Sequence, residues 1–200
     1  MCRAHRHLRH GRVRGAQLPN DLRGQTLLLI GVGFVGKNVA HYARAFGLKV
    51  IGVRRSPMQA GDPVDEMHPP SQLKALLPRA DWVMVCCPLT RETRNLVDAE
   101  AFQCMKKGAK LINIGRGEVL DDTALLEGLR SGHIGGAGLD AHSEEPLPPT
   151  SPLWSMPNVI ITPHNASAST GNEARSAEMF LENFGHWVRG EPMFNVQRIA

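Results

Sequence analysis

The chain has 200 residues, enough for one domain with a buried core. It is 42% hydrophobic and 21% charged, as an ordinary soluble globular protein is, and no apolar run is long enough to span a membrane. The net charge of +4 comes from the first 24 residues, which hold six arginines and one acid, so the remaining 176 residues are nearly neutral. This composition argues against a nucleic-acid-binding domain.

Residues 1–20 are basic and have no apolar segment of the kind that a secretory signal contains. We interpret them as a surface segment or a truncated start of the chain. The four cysteines have no C-x-x-C spacing and no histidine at metal-ligand spacing. The sequence therefore predicts reduced thiols, a cytoplasmic protein and no metal site.

The stretch from Thr26 to Gly47 has the order strand, glycine turn, helix. Its first part, Leu27 to Ile30, is an apolar run typical of a buried parallel strand. The turn has the spacing G-x-G-x-x-G, formed by Gly31, Gly33 and Gly36. The apolar residues that follow share one helical face: Val35, Val39, Ala43 and Phe46.

This order of elements predicts a binding site for the pyrophosphate of a dinucleotide. Gly31 would allow the tight turn, Gly33 the approach of the backbone to the phosphates, and Gly36 the close packing of helix on strand. The phosphates would lie on the free N–H groups at the start of the helix. An ordinary glycine-rich turn can have the same spacing, but the flanking strand and helix favour a nucleotide site.

A second strand, Lys49 to Val53, is followed directly by Arg54, Arg55 and Ser56. An NAD site usually has an acid here, which binds the ribose 2′-hydroxyl, whereas an arginine accommodates a 2′-phosphate. No acid occurs between Lys49 and Gly61. The sequence therefore predicts NADP as the preferred cofactor, with NAD possible and a solvated basic loop as the alternative.

Strands and helices alternate along the rest of the chain, which predicts an α/β fold with a doubly wound parallel sheet, the Rossmann architecture. Ser71 is expected to cap a short helix, and further helices are expected to begin near Asp98 and near Asp121 or Asp122. Further strands are predicted within 66–68, 81–90, 110–117, 135–140 and 158–164. The last helix, about 172–189, has one apolar face: Ala177, Phe180, Phe184, Trp187 and Val188.

Four polar residues follow the later strands: Arg116, Asp140, Glu145 and His164. Ligands of open parallel sheets bind at the carboxyl ends of the strands, so these side chains should meet beside the dinucleotide. Reduction of a keto acid needs such a set: a cation for the carboxylate, a proton donor, and a carboxylate that fixes the imidazole tautomer. Arg116 could instead be only a turn residue, and Glu144 could take the place of Glu145.

Several motifs occur together and in one order: LIGVGFVG, PLT with a following TRNL (Pro88 to Leu96), NIGRGEV, GAGLD, EEPL and TPHNA. With these motifs the chain resembles the nucleotide-binding domain of the D-isomer-specific 2-hydroxyacid dehydrogenases. The resemblance implies that Arg116 binds substrate, that His164 is the acid/base and that Glu145 orients His164. It also implies that Asp140 contacts the nicotinamide carboxamide.

The resemblance implies further cofactor contacts. The backbone of Phe34 and Val35 would hold the pyrophosphate, Cys87 and Pro88 would wall the adenosine side, and Ile114 would also contact the cofactor. The Arg54–Ser56 segment resembles that of the NADP-preferring glyoxylate and hydroxypyruvate reductases. Relatives form dimers through this domain, so a homodimer is expected.

In this family the main part of a substrate-binding domain precedes the nucleotide domain, and here only residues 1–20 stand in that place. We therefore divide the chain into a remnant or truncated start at 1–20, a dinucleotide-binding domain at 21–195 and a tail at 196–200. The expected function is hydride transfer between NADP(H) and a small 2-keto acid, of the glyoxylate or hydroxypyruvate type. The alternatives are a catalytically impaired nucleotide-binding or sensing module, and a fragment of a full-length dehydrogenase.

Overall fold

A computed structural model describes residues 21–196, so the expectations for 1–20 and for most of the 196–200 tail concern residues outside the described part. Seven strands are present: β1 (Thr26–Ile30), β2 (Lys49–Val53), β3 (Glu66–His68), β4 (Trp82–Val85), β5 (Ala109–Asn113), β6 (Ile134–Leu139) and β7 (Val159–Ile161). The α-helices are α1 (Phe34–Ala45), α2 (Leu73–Leu76), α3 (Ala99–Cys104), α4 (Asp122–Ser131) and α5 (Asn172–Val188).

All seven strands pair in parallel, in the order β3-β2-β1-β4-β5-β6-β7. The chain builds outward from β1 to β3 and then returns to the other side of β1 with β4. The order reverses between β1 and β4, and this is where a doubly wound sheet opens a crevice at its carboxyl edge. The predicted Rossmann architecture is confirmed.

The core lies on both faces of the sheet, but the two faces are unequal. The larger cluster packs the sheet against α2, α3 and α4, and its fully buried members include Leu28, Val83 and Leu111. The smaller cluster lies under α1 and contains Leu27, Leu29 and Val50. Successive residues of β1 therefore face opposite clusters, which is why this strand has an uninterrupted apolar run.

Two of the predicted helix starts are confirmed by side-chain caps. The Asp98 carboxylate accepts from the Ala101 amide, and the Asp121 carboxylate accepts from the Ala124 amide. The prediction for Ser71 is wrong. It lies inside a 3₁₀ turn, Pro70–Gln72, that precedes α2, and neither segment has a side-chain cap.

Two apolar helix faces expected from periodicity are largely uncovered in the described structure. On α1, Val39 and Ala43 pack against the smaller cluster, whereas Val35 and Phe46 are exposed. Helix α5 buries none of its residues, and Phe180, Phe184 and Trp187 form an exposed row with ring centroids 6.2 and 5.9 Å apart. None of the described helices is both long and apolar enough to cross a membrane.

Candidate active site

A cleft of about 400 Å³ lies at the carboxyl ends of β1, β2 and β4, at the point where the strand order reverses. Its walls come from the glycine turn after β1, the segment after β2 and the segment after β4. The residues that line these walls include Gly31, Gly33, Arg54, Arg55, Ser56, Cys87, Pro88 and Glu92. The cleft is where the sequence predicted the dinucleotide.

The glycine turn has the shape that the spacing predicts. Gly31 has a φ of +100°, and a Cβ there would lie 2.6 Å from the backbone nitrogen of Cys87. A Cβ on Gly36 would lie 2.2 Å from the Gly31 carbonyl oxygen, so only glycine lets α1 approach the turn so closely. A Cβ on Gly33 would meet nothing within 4 Å, which leaves room beside the start of α1 for a phosphate.

Of the other residues expected at the nucleotide end, Cys87 and Pro88 line the cleft, whereas Phe34, Val35 and Ile114 do not. Phe34 and Val35 are exposed at the start of α1, and no acid lies in its first turn to repel an anion. Cys87 is buried, and Cys87 and Pro88 both line the cleft. Burial raises the pKa of the Cys87 thiol to about 11, so the sulfur contributes a neutral apolar wall. Ile114 follows β5 and donates its amide to the Val85 carbonyl.

The structure changes the expectation for Arg54. Its guanidinium donates from Nε to the Ser56 carbonyl, and from Nη1 to the Val32 carbonyl and to Asp62 Oδ1. Its Nη2 donates to the Pro57 carbonyl and to Asp62 Oδ2. These contacts use all five N–H donors of an arginine. Arg54 therefore has no donor left for a 2′-phosphate, and it is not available for the contact that the sequence predicted.

Arg55 and Ser56 remain open at this end of the cleft, because both are exposed and line it. Glu92 lines the cleft as well. Hydrogen bonding from Thr90, together with the nearby positive charges of Arg55 and Arg91, lowers the pKa of Glu92 below its ordinary range. Arg55 is thus an exposed cation in the lining of the cleft.

Arg116 lies in the turn after β5, and the buried Asn113 holds that turn. The Asn113 side chain accepts from the Gly115 amide at 3.0 Å and donates to the Arg116 carbonyl at 3.0 Å. Arg116 itself is exposed and donates from Nη1 to the carbonyl of Gly115. The guanidinium therefore stands at the sheet edge with donors available for a carboxylate.

His164 lies in the turn after β7 and has a φ of +51°, in the left-handed region that non-glycine residues rarely adopt. Asp140, directly after β6, holds this turn. Its Oδ1 accepts from the Thr162 hydroxyl at 2.5 Å and from the Asn165 amide at 3.0 Å, and its Oδ2 accepts from the Ala166 amide at 2.9 Å. These bonds fix the backbone on both sides of His164 and offset its unfavourable conformation.

Burial alone would raise the pKa of Asp140. The hydrogen bonds from Thr162 and from the Ala166 and Asn165 amides outweigh burial, so the pKa lies below its ordinary value. Asp140 is only 5% exposed. The nicotinamide contact that the resemblance implies therefore stays a prediction, while the structure gives Asp140 a second role that the sequence analysis missed.

Glu145 contacts His164 directly. Its Oε2 lies 2.7 Å from His164 Nδ1, while its Oε1 accepts from the His142 amide at 2.9 Å. Hydrogen bonds from His164 and from that amide lower the pKa of Glu145. A charged carboxylate on Nδ1 leaves Nε2 as the imidazole nitrogen that faces a ligand. This contact assigns the pairing to Glu145 rather than to Glu144.

Arg116, Glu145 and His164 follow β5, β6 and β7, which are neighbours in the sheet. The ends of β5 and β7 are therefore on the order of 10 Å apart, two strand spacings. The turn of Arg116 also touches the segment before Glu145: a Cβ on Gly117 would lie 2.0 Å from the carbonyl carbon of His142. Gly117 thus allows the two turns to pack in direct contact.

A dinucleotide crevice with an arginine and a carboxylate-bound histidine on the same sheet edge defines one class of protein, the nucleotide-binding half of a dehydrogenase. The sequence profile described as the D-isomer specific 2-hydroxyacid dehydrogenase, NAD binding domain, matches residues 1–166. The chain belongs to this family.

Solved structures and curated relatives agree with this assignment. A D-isomer specific 2-hydroxyacid dehydrogenase from Xanthobacter autotrophicus Py2, solved with NADPH and MES, is 37% identical with a TM-score of 0.83, over 92% of this chain and 75% of that one. A family protein from Aeromonas salmonicida subsp. salmonicida A449 is 37% identical with a TM-score of 0.81, over 94% of this chain and 59% of that one. A glyoxylate reductase from Korarchaeum cryptofilum is 38% identical over 94% of this chain and 58% of its own length.

Proposed function

We propose that this chain takes part in hydride transfer between NADP(H) and a small 2-keto acid, of the glyoxylate or hydroxypyruvate type, with the D-2-hydroxy acid as product. The observation that carries the proposal is the 2.7 Å contact between Glu145 and His164 at the sheet edge that also bears Arg116 and the dinucleotide cleft. The Korarchaeum relative is named a glyoxylate reductase. The chain spans 58% of that relative's length, so the activity of a whole enzyme is part of the proposal.

Each side chain has one task in this reaction. Arg116 binds the substrate carboxylate, because a guanidinium can hold both carboxylate oxygens at once. His164 gives a proton from Nε2 to the substrate oxygen as charge develops there, and Glu145 holds Nδ1 and stabilises the imidazolium. When bound, NADPH would donate the hydride in the reduction, and NADP⁺ would accept it in the reverse reaction.

The fit of the cofactor rests on three features of the cleft. The turn at Gly31 leaves the start of α1 free for the pyrophosphate, and Gly33 leaves open space beside it. Arg55 and Ser56, exposed at the far end, supply a guanidinium and a hydroxyl for a 2′-phosphate. The Xanthobacter relative was solved with NADPH, which supports the same choice here.

Oxidation of NADPH and of NADH by the purified chain, tested on a panel of 2-keto acids, checks the proposal. We expect turnover with glyoxylate or hydroxypyruvate, faster with NADPH. R116K should raise KM for the keto acid about tenfold and leave the Kd of NADPH unchanged, because a lysine cannot bind a carboxylate through two parallel bonds. Cofactor binding without any turnover would favour the sensing module instead.

We also propose that the chain forms a homodimer and works in the cytoplasm. The uncovered aromatic row on α5, Phe180, Phe184 and Trp187, is the type of surface that a protein partner buries. Light scattering coupled to size exclusion should give the mass of a dimer, and W187S should shift it toward the monomer. The described cysteines are free thiols, as expected in a reducing compartment.

A further inference from the structure

We propose that Arg54 and Asp62 are positioning residues, which hold the segment 55–61 in the shape that presents Arg55 and Ser56 to a 2′-phosphate. The inference rests on the proposed NADP(H) preference and assigns it to a pair of side chains that would not touch the cofactor. The pair joins the end of β2 to a buried carboxylate eight residues later.

Asp62 is the centre of this arrangement. Its side chain is 0% exposed, and its carboxylate accepts from two nitrogens of Arg54, from the Gln59 amide at 2.8 Å and from Lys37 Nζ at 2.9 Å. Both oxygens therefore have two partners each. Asp62 cannot serve as the acid that binds a ribose hydroxyl, because it is buried and its acceptor positions are occupied.

Arg54 and Asp62 together connect three parts of the fold. The Val32 carbonyl belongs to the glycine turn, Lys37 belongs to α1, and the Ser56 and Pro57 carbonyls belong to the segment itself. The segment 55–61 is thus fixed to the turn and helix that would hold the pyrophosphate.

The consequence for Arg55 and Ser56 follows from their place in the chain. Arg54 is 11% exposed at its side chain and anchors the segment just before them, while its bonds to two carbonyls anchor the backbone at and just after Ser56. The exposed pair is therefore ordered before any ligand arrives. Binding to Arg55 and Ser56 therefore costs little free energy for ordering the segment. The 2′-phosphate is the group by which NADPH differs from NADH, so NADPH would gain most from this pair.

The competing interpretation makes Arg54 the phosphate ligand, and the two interpretations differ in the sign of one effect. If Arg54 binds the phosphate directly, D62N frees a guanidinium and removes a nearby negative charge, so NADPH binding should strengthen. If Arg54 and Asp62 are positioning residues, D62N loosens the segment and NADPH binding should weaken.

The experiment measures the Kd of NADPH and of NADH by fluorescence titration of the full chain. We expect D62N and R54Q each to raise the Kd of NADPH about tenfold and the Kd of NADH less than about twofold. The double variant should have a Kd for NADPH no higher than that of either single variant. D65N is the matched control, since Asp65 lies on the same β2–β3 connection but binds the Val50 amide and Arg44. D65N should leave the ratio of the two Kd values unchanged.

Hydrogen exchange of residues 55–61 is the second readout. It should be faster in D62N and R54Q than in wild type, and unchanged in D65N. The inference would be overturned if D62N bound NADPH more tightly or equally well, or if its affinity for NADH fell as much as its affinity for NADPH. It would also be overturned if NADPH binding weakened without faster exchange. If D62N does not fold, hydrogen exchange in R54Q decides the question: faster exchange of residues 55–61 supports the positioning role, and weaker NADPH binding without faster exchange makes Arg54 a direct ligand.

R55A separates failure of this inference from failure of the proposed cofactor preference. If wild type does not prefer NADPH, the proposed NADP(H) function is at fault. If wild type prefers NADPH and R55A keeps that preference, Arg55 does not bind the 2′-phosphate and the inference is overturned. If R55A abolishes the preference and D62N does not, the positioning roles of Arg54 and Asp62 are at fault.

Discussion

Two ends of the carboxyl edge of the sheet are held by similar arrangements of different interactions: the candidate catalytic end at Arg116 and His164, and the candidate ribose end at Arg55. At the catalytic end, Arg116 and His164 are displayed on turns, and the buried Asn113 and Asp140 hold those turns mainly through backbone amides and carbonyls. At the ribose end, Arg55 is displayed, and the buried Asp62 holds the segment through Arg54 and Lys37.

The difference between the two ends lies in charge. Asp62 is stabilised by two cations, so its contribution depends on ionisation. Asn113 is neutral, and Asp140 is bonded by a hydroxyl and two amides. The residues that support Arg116 and His164 should therefore be most sensitive to changes in geometry, and those that support Arg55 to loss of the ion pairs of Asp62.

The largest effect is expected from removal of the imidazole at the catalytic end. H164A should lower kcat by about 10²–10⁴-fold and leave the Kd of NADPH unchanged, because only proton transfer is lost. H133A is the matched control. His133 directly precedes β6, so it lies at the amino ends of the strands, away from His164, and it binds the Phe102 carbonyl. Steady-state kinetics and cofactor titration measure both, and an unchanged kcat would remove His164 from the mechanism.

A smaller effect is expected when the support of His164 is changed and the imidazole is kept. D140N cannot accept from both amides, so the turn should relax and kcat should fall about 10²-fold or less. T162V, which loses only one of the three bonds to Asp140, should show a weaker change in the same direction. If the Kd of NADPH rises as much as kcat falls, the nicotinamide contact implied by the family resemblance is the main role of Asp140.

Acid should expose the charge dependence of the ribose end. Bonds from Gln59, Lys37 and Arg54 outweigh the effect of burial and lower the pKa of Asp62 from 3.8 to about 2. Because the folded pKa is the lower one, Asp62 stabilises the fold above about pH 4 by about 2 kcal/mol, and this is lost as the pH falls toward 2. Urea unfolding at pH 5 and pH 3 should show a smaller loss of stability in D62N than in wild type.

Glu66 contributes in the same acid range, so D62N should remove only part of the pH dependence. Hydrogen bonds from Arg79, Lys49 and His68 lower the pKa of Glu66 from 4.5 to about 2. An equal loss of stability in wild type and D62N between the two pH values would contradict the assignment of an ionised Asp62.

Salt should have the smallest effect, and it too should separate the two ends. Raising the ionic strength screens exposed charges, so the preference for NADPH over NADH at Arg55 should fall a few fold. The value of kcat at saturating substrates should change less, because Glu145 and His164 are in direct contact at 2.7 Å and salt screens charges most at longer distances. A strong salt dependence of kcat with a constant cofactor preference would reverse the comparison.

The sequence predicted the fold well, because its strands, turns and helix caps have local signatures. The glycine spacing, the apolar strands and the caps at Asp98 and Asp121 all depend on neighbours in the chain. The strand ends were less accurate: β5 was expected to continue to Gly117 but ends at Asn113. The residues between them form the Arg116 turn, and apolar patterning does not distinguish a strand from the turn that follows it.

The supporting residues had no such signature. Asp140 and Asn165 are 25 positions apart, and the role of Asp140 depends on how β6 and β7 pair. Asp62 directly follows the acid-free interval from Lys49 to Gly61, and only the folded segment brings it into contact with Arg54. A long-range contact that satisfies a buried polar group leaves no period or motif in the sequence.

Both edges of the sheet are short, and this bears on how copies of the chain could associate. The edge strands β3 and β7 have three residues each, so each edge offers another chain few backbone groups for pairing. Ile160 on β7 is 72% exposed, but β7 is too short to form many hydrogen bonds with a strand of another chain. A continuous sheet that runs from one molecule into the next is therefore disfavoured at both of these edges.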